Sequence, residues 1–318
     1  MTTVLVLSWD EGHLLRHSLP RICAQDGAEV VVIDDACSDD TAAVADEHGA
    51  AVVRLDERVS SAALNRGLAV AGTGTDVLLL NADYFVEPGF LAAATARLRE
   101  PGVGSVAPRL VRALGPAPEQ RLDALDAAGM TVDRRRKNGL VGHGRPALAH
   151  DLAGECFGAD GAAVLYRRET LDQCTVHGEV LDEDMERWAS DVDLAWRART
   201  LGWKCGYEPA AVAYHVRSYS PSTRAGMPAR DRRMQFRNRY LMIAKNDRPG
   251  ALLRDAPALA AYELGALGYA LAVERELLGG YREAARLLPG ALRRRRALHA
   301  ARSAAGHPSV PFGLKAPA

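Results

Sequence analysis

Runs of apolar residues alternate with amphipathic segments along the first third of the chain. The predicted strands are TVLVLSW (3–9), EVVVIDD (29–35), AAVVRL (50–55), TDVLLLN (75–81) and VGSVAPRLV (103–111). The segments between them have the composition and spacing of helices, most clearly 11–25, 60–72 and 87–100. Continuous apolar strands that alternate with helices are typical of a parallel sheet covered on both faces. The predicted fold class is therefore α/β.

Three of these strands end in polar groups. The polar ends are Ser8-Trp9-Asp10, Asp34-Asp35 and Asn81-Ala82-Asp83. Asn and Asp at one strand end can be ordinary turn residues, because their short side chains bond the nearby backbone. The carboxyl ends of parallel strands, however, meet at one edge, where open α/β sheets bind their ligands. Three polar ends at that edge favour a ligand site.

The regular alternation stops after residue 111. Residues 112–150 are rich in Gly, Pro and Arg and are expected to form loops or a hairpin. The predicted elements that follow are a strand leading into a helix (158–171), an amphipathic helix (189–203), a strand ending on His215 (204–216), a polar loop (217–228) with the composition of a lid and a helix (230–246). The remainder is helical and rich in Ala, Leu and Arg.

Composition excludes several classes of protein. Lys plus Arg and Asp plus Glu both number 40, so no global charge favours nucleic acid. Five cysteines without a CxxC pair do not suggest a disulfide framework. The N-terminus has no basic region typical of a signal peptide, and the apolar stretch 256–278 is interrupted by Glu263, Glu274 and Arg275. We therefore expect a cytoplasmic protein.

Several motifs, in order along residues 2–248, resemble family 2 glycosyltransferases, especially bacterial rhamnosyltransferase-like members. The matching segments are VLSWDEGHLL, VVVIDDACSDDT, ALNRGLAVA, LLLNADY, GADGAAVLYRRE, SDVDLAWRARTLGW, YHVRS and FRNRYLMIAKN. LLLNADY is similar to a variant of the family's DxD motif. The resemblance implies a GT-A fold, with a mostly parallel Rossmann-like sheet, flanking helices and a C-terminal helical extension.

The resemblance also implies which residues bind a nucleotide-sugar donor. These are Ser8, Trp9, Glu11, Asp34, Asn65, Arg66, Asn81, Ala82, Asp83 and Arg237. Asp34 matches the position that contacts the base, and Trp9 stands where tyrosine is usual. Trp9 could instead be a core aromatic residue, and Arg66 and Arg237 could be ordinary exposed helix arginines.

A divalent metal is the expected cofactor, because a diphosphate leaving group needs positive charge to depart. Asp83 supplies a hard oxygen ligand, and the resemblance makes His215 the other protein ligand. Oxygen ligands suit Mg²⁺ or Mn²⁺, and an imidazole favours Mn²⁺. His215 could alternatively cap a strand end.

Asp191 matches the family's catalytic base and would accept the proton of the acceptor hydroxyl. Asp193 is the competing carboxylate. Residues two positions apart on a helix are about 200° apart, so only one of the two can face the site. Asp191 follows Ser190 where the family has Glu, and it could simply be a carboxylate that stabilises the helix N-terminus.

The expected reaction is an inverting, metal-dependent transfer of a sugar from a UDP- or dTDP-linked donor to a hydroxyl acceptor. The acceptor could be a glycan, a lipid-linked saccharide or a small molecule of cell-surface or natural-product biosynthesis. The alternative is a catalytically inactive nucleotide-sugar-binding scaffold of the same fold. A nucleotidyltransferase would need a Gly-rich, Lys-bearing phosphate loop, which SWDEGHLL does not offer.

The chain is expected to contain a glycosyltransferase domain over 1–248 and a helical extension over 249–318. Within the domain, 1–111 would bind the nucleotide and 112–248 the acceptor. The basic extension could lie on the inner face of an anionic membrane, pack on the catalytic domain or form a homodimer.

Overall fold

A computed structural model describes residues 1–217, 223–306 and 309–314. The helices are α1 (Gly12–Cys23), α2 (Thr41–Glu47), α3 (Ser60–Val70), α4 (Phe90–Leu98), α5 (Arg168–Cys174), α6 (Ser190–Thr200), α7 (Ala229–Asn246), α8 (Pro249–Ala272) and α9 (Leu277–Ala304). The strands are β1 (Thr2–Ser8), β2 (Ala28–Asp34), β3 (Ala51–Arg54), β4 (Asp76–Asn81), β5 (Tyr84–Val86), β6 (Val103–Ala113), β7 (Arg121–Ala127), β8 (Met130–Val132), β9 (Asn138–Leu140), β10 (Gly154–Cys156), β11 (Ala163–Tyr166) and β12 (Lys204–His215).

The large sheet has the strand order β10-β12-β6-β11-β4-β1-β2-β3. Strands β3, β2, β1 and β4 are parallel, which confirms the predicted α/β class. β11 lies between β4 and β6 and runs antiparallel to both. The short strands β5 and β7 are antiparallel to β12 and β6. The sheet is therefore mixed as a whole, and only its N-terminal part is uniformly parallel.

The strand register brings the predicted polar ends to one edge. Ser8 lies opposite Asp34, and Leu7 lies opposite Asn81. In the half of the sheet that contains β12, His215 at the end of that strand lies opposite Tyr84 of β5. Since Tyr84 directly follows Asp83, this pairing brings the imidazole and the carboxylate together.

Apolar clusters cover both faces of the sheet. On one face, fully buried β-strand residues such as Val4 and Leu80 pack against α1 and α4. On the other face, Leu5 and Leu79 pack towards α3, α5 and α6. Neighbouring strand residues point to opposite faces, so both faces need apolar side chains, as the unbroken apolar runs predict.

The segment that follows the regular alternation contains the predicted hairpin and one further strand. Residues 112–150 contain β7 and the hairpin β8–β9. The predicted lid at 217–228 lies partly outside the described residues, which omit 218–222.

The C-terminal extension is helical, as predicted. α9 lies along α7 and runs in the same direction: the Phe236 and Tyr281 rings lie 4.9 Å apart, Arg233 donates to Glu283 at 2.6 Å, and further along Arg295 donates to the Ala244 carbonyl. Within the described part of the chain, no helix is both long and apolar enough to cross a membrane. The domain division at residue 248 coincides with the break between α7 and α8 and stays a prediction.

Candidate active site

A cleft of about 260 Å³ opens at the carboxyl edge of the sheet. Six of the predicted site residues line it: Trp9, Glu11, Asn81, Asp83, Asp191 and His215. Its other polar or aromatic lining residues are Ser60, Ser61, Asp160, Tyr166, Arg187, Trp188, Ser190 and Arg217. The ends of β1, β4 and β12 and the start of α6 therefore converge on one site.

Asp83 and His215 form the most buried polar pair in this cleft. His215 Nε2 lies 3.2 Å from Asp83 Oδ2, and both side chains are more than nine-tenths buried. Asp83 Oδ1 is also buried but has no hydrogen-bond partner among the described residues. An unpartnered buried carboxylate oxygen is costly unless a ligand satisfies it. The pair thus offers one free oxygen and one imidazole nitrogen, a donor set that suits a divalent cation such as Mn²⁺.

His215 is oriented by groups on its other side. Its Nδ1 lies 2.7 Å from Asp126 Oδ2 and 2.9 Å from the Tyr84 hydroxyl, and its ring stacks on Tyr84. Burial opposes protonation, but Asp83 and Asp126 outweigh it and raise the pKa of His215 to about 9. In the metal-free protein His215 is therefore protonated and its Nε2 donates to Asp83. A metal would displace that proton, and the bond of Nδ1 to Asp126 would fix the direction of Nε2.

Asp126 and Arg217 were not predicted from sequence. Asp126 is fully buried, and Arg217 donates to both of its carboxylate oxygens at 2.7–3.0 Å. Although burial opposes ionisation, the bonds from His215 and Arg217 hold the pKa of Asp126 well below its usual value. Arg217 also pairs with Asp160. Asp126 lies in the irregular segment 112–150, where no sequence pattern marked it.

Glu11 lies at the start of α1 and lines the cleft together with Asp83. Burial, and then the charge of Asp83, raise the pKa of Glu11 to about 8. Two acidic groups held close together in a cleft repel each other unless positive charge lies between or beside them. With a pKa of about 8, Glu11 is mostly protonated near neutral pH, which removes the repulsion, and a bound cation would favour its ionised form.

Asp191 lies at the first turn of α6. Its Oδ2 accepts from the Gly161 amide at 3.0 Å, and its Oδ1 accepts from the Val192 amide at 2.8 Å. A Cβ on Gly161 would lie only 2.5 Å from Asp191 Cβ, so this close approach needs glycine. Burial, and then the charge of Asp160, raise the pKa of Asp191 to about 6. That value suits a group that accepts a proton near neutral pH.

Asp193, the competing carboxylate, faces away from the cleft. It is fully buried and accepts from Arg197 at 3.0 Å and from Asn246 at 2.7 Å, and Lys245 lies 2.9 Å away. Burial opposes ionisation, but Lys245 and Arg197 lower the pKa of Asp193 below its usual value. Asp193 therefore anchors α6 to α7 and is not free to act on a substrate.

Trp9 forms part of the cleft wall and is about a third exposed (37%). The Arg187 guanidinium lies 3.8 Å from the centre of its ring, and the Arg58 guanidinium lies 5.0 Å away. Arg187 also lies 4.9 Å from the Trp188 ring and donates to Asp231. Trp9 is therefore a surface of the cleft and not a core residue.

The remaining predicted residues lie outside the lining of the cleft. Ser8 is buried and its hydroxyl bonds Thr41, while Asp34 accepts from the Cys37 amide at 2.7 Å. Ala82 is buried, and its carbonyl accepts from Ser18. Ser8 and Asp34 nevertheless lie at the same sheet edge.

The three predicted residues that lie on helices, Asn65, Arg66 and Arg237, are also outside the lining of the cleft. Asn65 exchanges hydrogen bonds with the backbone of Leu181 at 2.8 and 2.9 Å, so it holds the loop before α6. Arg66 is exposed on α3. Arg237 is buried and donates to Glu186 at 2.6 Å. Their roles in donor binding stay predictions.

A second acidic group lies beside the cleft. Asp10, Cys37 and Asp39 each have one potential metal-binding side-chain atom, and these three atoms lie within 4.8 Å of one another. Asp10 already accepts from the backbone and hydroxyl of Ser38, and Asp39 accepts from the Gly12 amide at 2.7 Å. These bonds satisfy the carboxylates internally, so the Asp83–His215 pair is the better candidate for a metal.

Residues 1–237 match the family model described as "Glycosyltransferase like family 2". The chain belongs to this glycosyltransferase family. No curated protein sequence matches it significantly. The bacterial and rhamnosyl aspects of the resemblance stay predictions.

Solved structures of glycosyltransferases share the fold. Staphylococcus aureus TarS (residues 1–349), solved with UDP-GlcNAc, is 16% identical with a TM-score of 0.59, and the match covers 95% of this chain and 88% of TarS. The mannosyltransferase PcManGT of Pyrobaculum calidifontis, solved with GDP-Man and Mn²⁺, is 20% identical with a TM-score of 0.52, covering 96% of this chain and 85% of that one.

A third structure shows the same fold over less of its length. GalNAc-T7, solved with UDP, GalNAc and Mn²⁺, is 14% identical with a TM-score of 0.59. The match covers 77% of this glycosyltransferase but only 48% of GalNAc-T7, so the present chain corresponds to about half of that protein. The predicted GT-A fold is confirmed by these matches.

Proposed function

We propose that this glycosyltransferase moves a sugar from a UDP- or dTDP-linked donor to a hydroxyl acceptor, with inversion at the anomeric carbon. The observation that carries the proposal is the meeting of Asp83, His215 and Asp191 in one cleft. The nucleotide would occupy the half formed by residues 1–111, and the acceptor would enter from the half formed by 112–248. TarS and GalNAc-T7, which were solved with UDP-linked ligands or UDP, support a uridine donor.

Asp83 Oδ1 and His215 Nε2 are the proposed ligands of a Mn²⁺ or Mg²⁺ ion. When bound, the ion would offset the negative charge that develops on the departing diphosphate. Asp126 would hold His215 in the required orientation through its 2.7 Å contact with Nδ1. The presence of Mn²⁺ in the structures of PcManGT and GalNAc-T7 supports this assignment.

Asp191 is the proposed catalytic base. Its carboxylate would take the proton of the acceptor hydroxyl while that oxygen bonds the anomeric carbon and the bond from this carbon to the diphosphate oxygen breaks. A single displacement of this kind inverts the anomeric configuration and needs no covalent enzyme intermediate. The two backbone amides that bond Asp191 fix its position, so much of the rate gain would come from orientation.

Trp9 and Arg187 are the proposed contacts of the donor at the cleft wall. An indole ring can stack on a pyrimidine base, and a guanidinium can bind diphosphate oxygens. Arg187 is a better candidate for the diphosphate than Arg237, because Arg187 lines the cleft and Arg237 is bonded to Glu186 outside it. Asp34 stays the proposed contact of the base.

The proposed function is tested by titrating UDP-, dTDP- and GDP-sugars into the protein by calorimetry, with Mn²⁺ or with EDTA. We expect one uridine or thymidine donor to bind, and binding to weaken in EDTA. Equal affinities with and without metal would contradict the metal assignment. Donor binding without any turnover in the presence of acceptor-containing extract would instead favour the inactive scaffold.

We further propose that the extension contacts the inner face of a membrane, where a lipid-linked or cell-surface acceptor would be presented. Leu253, Leu264 and Leu271 are exposed along α8. Exposed arginines along α9 are Arg282, Arg286, Arg293 and Arg296, which fall within one stripe at helical spacing. Apolar and basic groups together attract anionic bilayers.

Vesicle flotation tests the membrane proposal. We expect co-flotation with anionic but not zwitterionic vesicles, and loss of co-flotation in the double variant Arg282→Glu/Arg286→Glu. Equal behaviour of both vesicle types would contradict it. Light scattering would then show whether the same surface forms a homodimer instead.

A further inference from the structure

A second cavity, of about 310 Å³, lies away from the donor cleft between the start of α8 and the end of α9. Its lining residues include Trp196, Arg248, Gly250, Ala251, Arg302 and Phe312. None of them lines the donor cleft. The proposed glycosyl transfer therefore gives this cavity no role.

Two arginines in the cavity have buried nitrogens without partners. Arg248 Nε and Nη2 and Arg302 Nε are buried and have no hydrogen-bond partner among the described residues. Arg302 is only 4% exposed. Its Nη2 donates to Thr200 at 2.8 Å and to the Asn246 carbonyl at 3.0 Å, which fixes the guanidinium in place. Buried charged donors are costly to leave unpaired, so these nitrogens call for an acceptor.

The helix at the cavity supplies further donors. α8 begins at Pro249, and in the described structure no side chain caps its N-terminus. The Leu252 amide donates to the Arg248 carbonyl, but the Gly250 and Ala251 amides precede the first bond of the helix. Unsatisfied amides and the helix dipole make a helix N-terminus attractive to anions.

The charge balance of the cavity is positive. Arg248, Arg254 and Arg302 line it, against one carboxylate, Asp247. Arg254 is paired with Asp255 at 2.9 Å, so Arg248 and Arg302 carry the positive charge of the cavity. Asp247 is bound by the fully buried Arg136 at 2.7 Å, so its charge is already neutralised. Burial, and then the nearby charges of Arg248 and Arg295, lower the pKa of Arg302 to about 10. The side chain stays charged at neutral pH, and a bound anion would relieve the repulsion.

We propose that this cavity is a binding site for a phosphoryl or similar oxyanion group of a small molecule. Arg248 and Arg302 bind the oxyanion through their unpartnered nitrogens, and the amides at the start of α8 add to them. Guanidinium groups match the geometry of phosphate oxygens. Trp196 and Phe312, whose rings meet edge to face at 5.0 Å, form an apolar wall for the body of the ligand.

Gly250 allows a sharp test of this site. A Cβ at this position would meet nothing within 4 Å, so Gly250→Ala fits without a clash and Gly250→Asp has room for its Cβ. The aspartate would place its own carboxylate at the helix N-terminus, where it is favoured, and would repel an incoming anion. Gly250→Ala changes the backbone freedom in the same way without adding charge and is the matched control.

The experiment titrates inorganic phosphate into the metal-free protein by calorimetry. We expect saturable binding to wild type and Gly250→Ala, and at least about tenfold weaker binding to Gly250→Asp and Arg248→Gln, since a charge-assisted hydrogen bond contributes roughly 1.5–3 kcal/mol. Phosphate binding that is absent from wild type, or equal in Gly250→Asp and Gly250→Ala, would overturn the proposal. Arg187→Gln, which changes the proposed diphosphate contact of the donor cleft, should bind phosphate as wild type does, which separates this site from the donor cleft.

Two further titrations identify the source of the phosphoryl group. Glycerol 3-phosphate represents a soluble ligand, and vesicles containing phosphatidic acid represent a lipid headgroup. Binding of either one that is lost in Gly250→Asp supports the site and names its source. If both bind Gly250→Asp as tightly as Gly250→Ala, the site is wrongly assigned.

Discussion

His215 Nε2 lies 3.2 Å from Asp83 Oδ2, while Asp83 Oδ1 is buried without a partner among the described residues. The two residues come from strand ends that are 132 positions apart in sequence. Asp126 holds the His215 imidazole from its far side, and the Asp83 carboxylate has one free oxygen. A divalent cation would complete this arrangement.

Replacement of Asp83 by asparagine should remove metal-dependent donor binding without unfolding the protein. The side chain keeps its shape and His215 keeps its bond to Asp126, but the buried Asp83–His215 pair loses its negative charge. We expect a folded protein whose melting temperature in EDTA is below that of wild type, together with a loss of turnover of more than about 100-fold, beyond the 10–100-fold typical of outer ligand partners. A variant that retains Mn²⁺-dependent turnover would rule out Asp83 as a ligand.

Asp126→Asn should weaken metal binding although Asp126 does not face the donor. Asparagine cannot replace the charged acceptor of His215 Nδ1 and Arg217. Loss of such an orienting carboxylate typically lowers metal affinity by about 10–100-fold. Calorimetric Mn²⁺ titration measures this directly. An unchanged Mn²⁺ affinity, with activity lost, would limit Asp126 to a structural role.

The pH profile should report the ionisation of Asp191. The base acts only when deprotonated, and its pKa is about 6, so kcat/KM should fall as pH drops below about 6. Asp160 contributes a like charge, so Asp160→Asn should lower the pKa of Asp191 and move the fall to more acidic pH. A profile that is flat down to pH 5, or one that shifts upward in Asp160→Asn, would contradict this.

Gly161→Ala should displace the base and leave the donor site intact. The added Cβ would lie 2.5 Å from Asp191 Cβ, so one of the two residues must move. We expect kcat to fall by about 100-fold or more, as a 1 Å misplacement can cost, with little change in donor affinity. Calorimetric donor titration beside turnover separates the two effects. If donor affinity falls in parallel with kcat, the displacement is not confined to the base.

Asp191 and Asp193 are the two carboxylates at the start of α6. Loss of the first should affect turnover, and loss of the second should affect stability. Asp193→Asn removes the carboxylate partner of the buried Arg197 and leaves Lys245 with Asp182 alone, and it should cost about 3–5 kcal/mol of unfolding free energy. Asp191→Asn should cost far less stability but abolish turnover. Urea unfolding with activity assays checks both, and the reverse pattern would exchange the two assignments.

The sequence predicted the individual residues of the site better than the contacts between them. Asp83 was identified because it follows the end of an apolar run, and strand ends in an α/β sheet share an edge. His215 ends a predicted strand but was assigned as a ligand through the resemblance. Asp191 was identified through the resemblance, and the structure separates it from Asp193 by their partners. Each of these residues lies at or next to the end of a predicted strand or the start of a predicted helix, and such boundaries can be predicted from the sequence alone.

Asp126, Arg187 and Arg217 could not be predicted in the same way. Asp126 reaches the site because β7 pairs with β6, a contact that the irregular segment 112–150 does not reveal. Arg187 faces the cleft through its packing on Trp9, whereas Arg237 is drawn away by Glu186. The position of an arginine depends on tertiary ion pairs, and its own sequence neighbours do not encode them.

The most direct test is hydrolysis of a panel of UDP-, dTDP- and GDP-sugars by wild type and Asp191→Asn, with Mn²⁺ or EDTA. Water can replace the acceptor hydroxyl, so no acceptor has to be known. We predict slow, Mn²⁺-dependent release of one nucleoside diphosphate by wild type and none above background by Asp191→Asn. Release that is equal in the two proteins, or independent of metal, would contradict the proposed catalytic site.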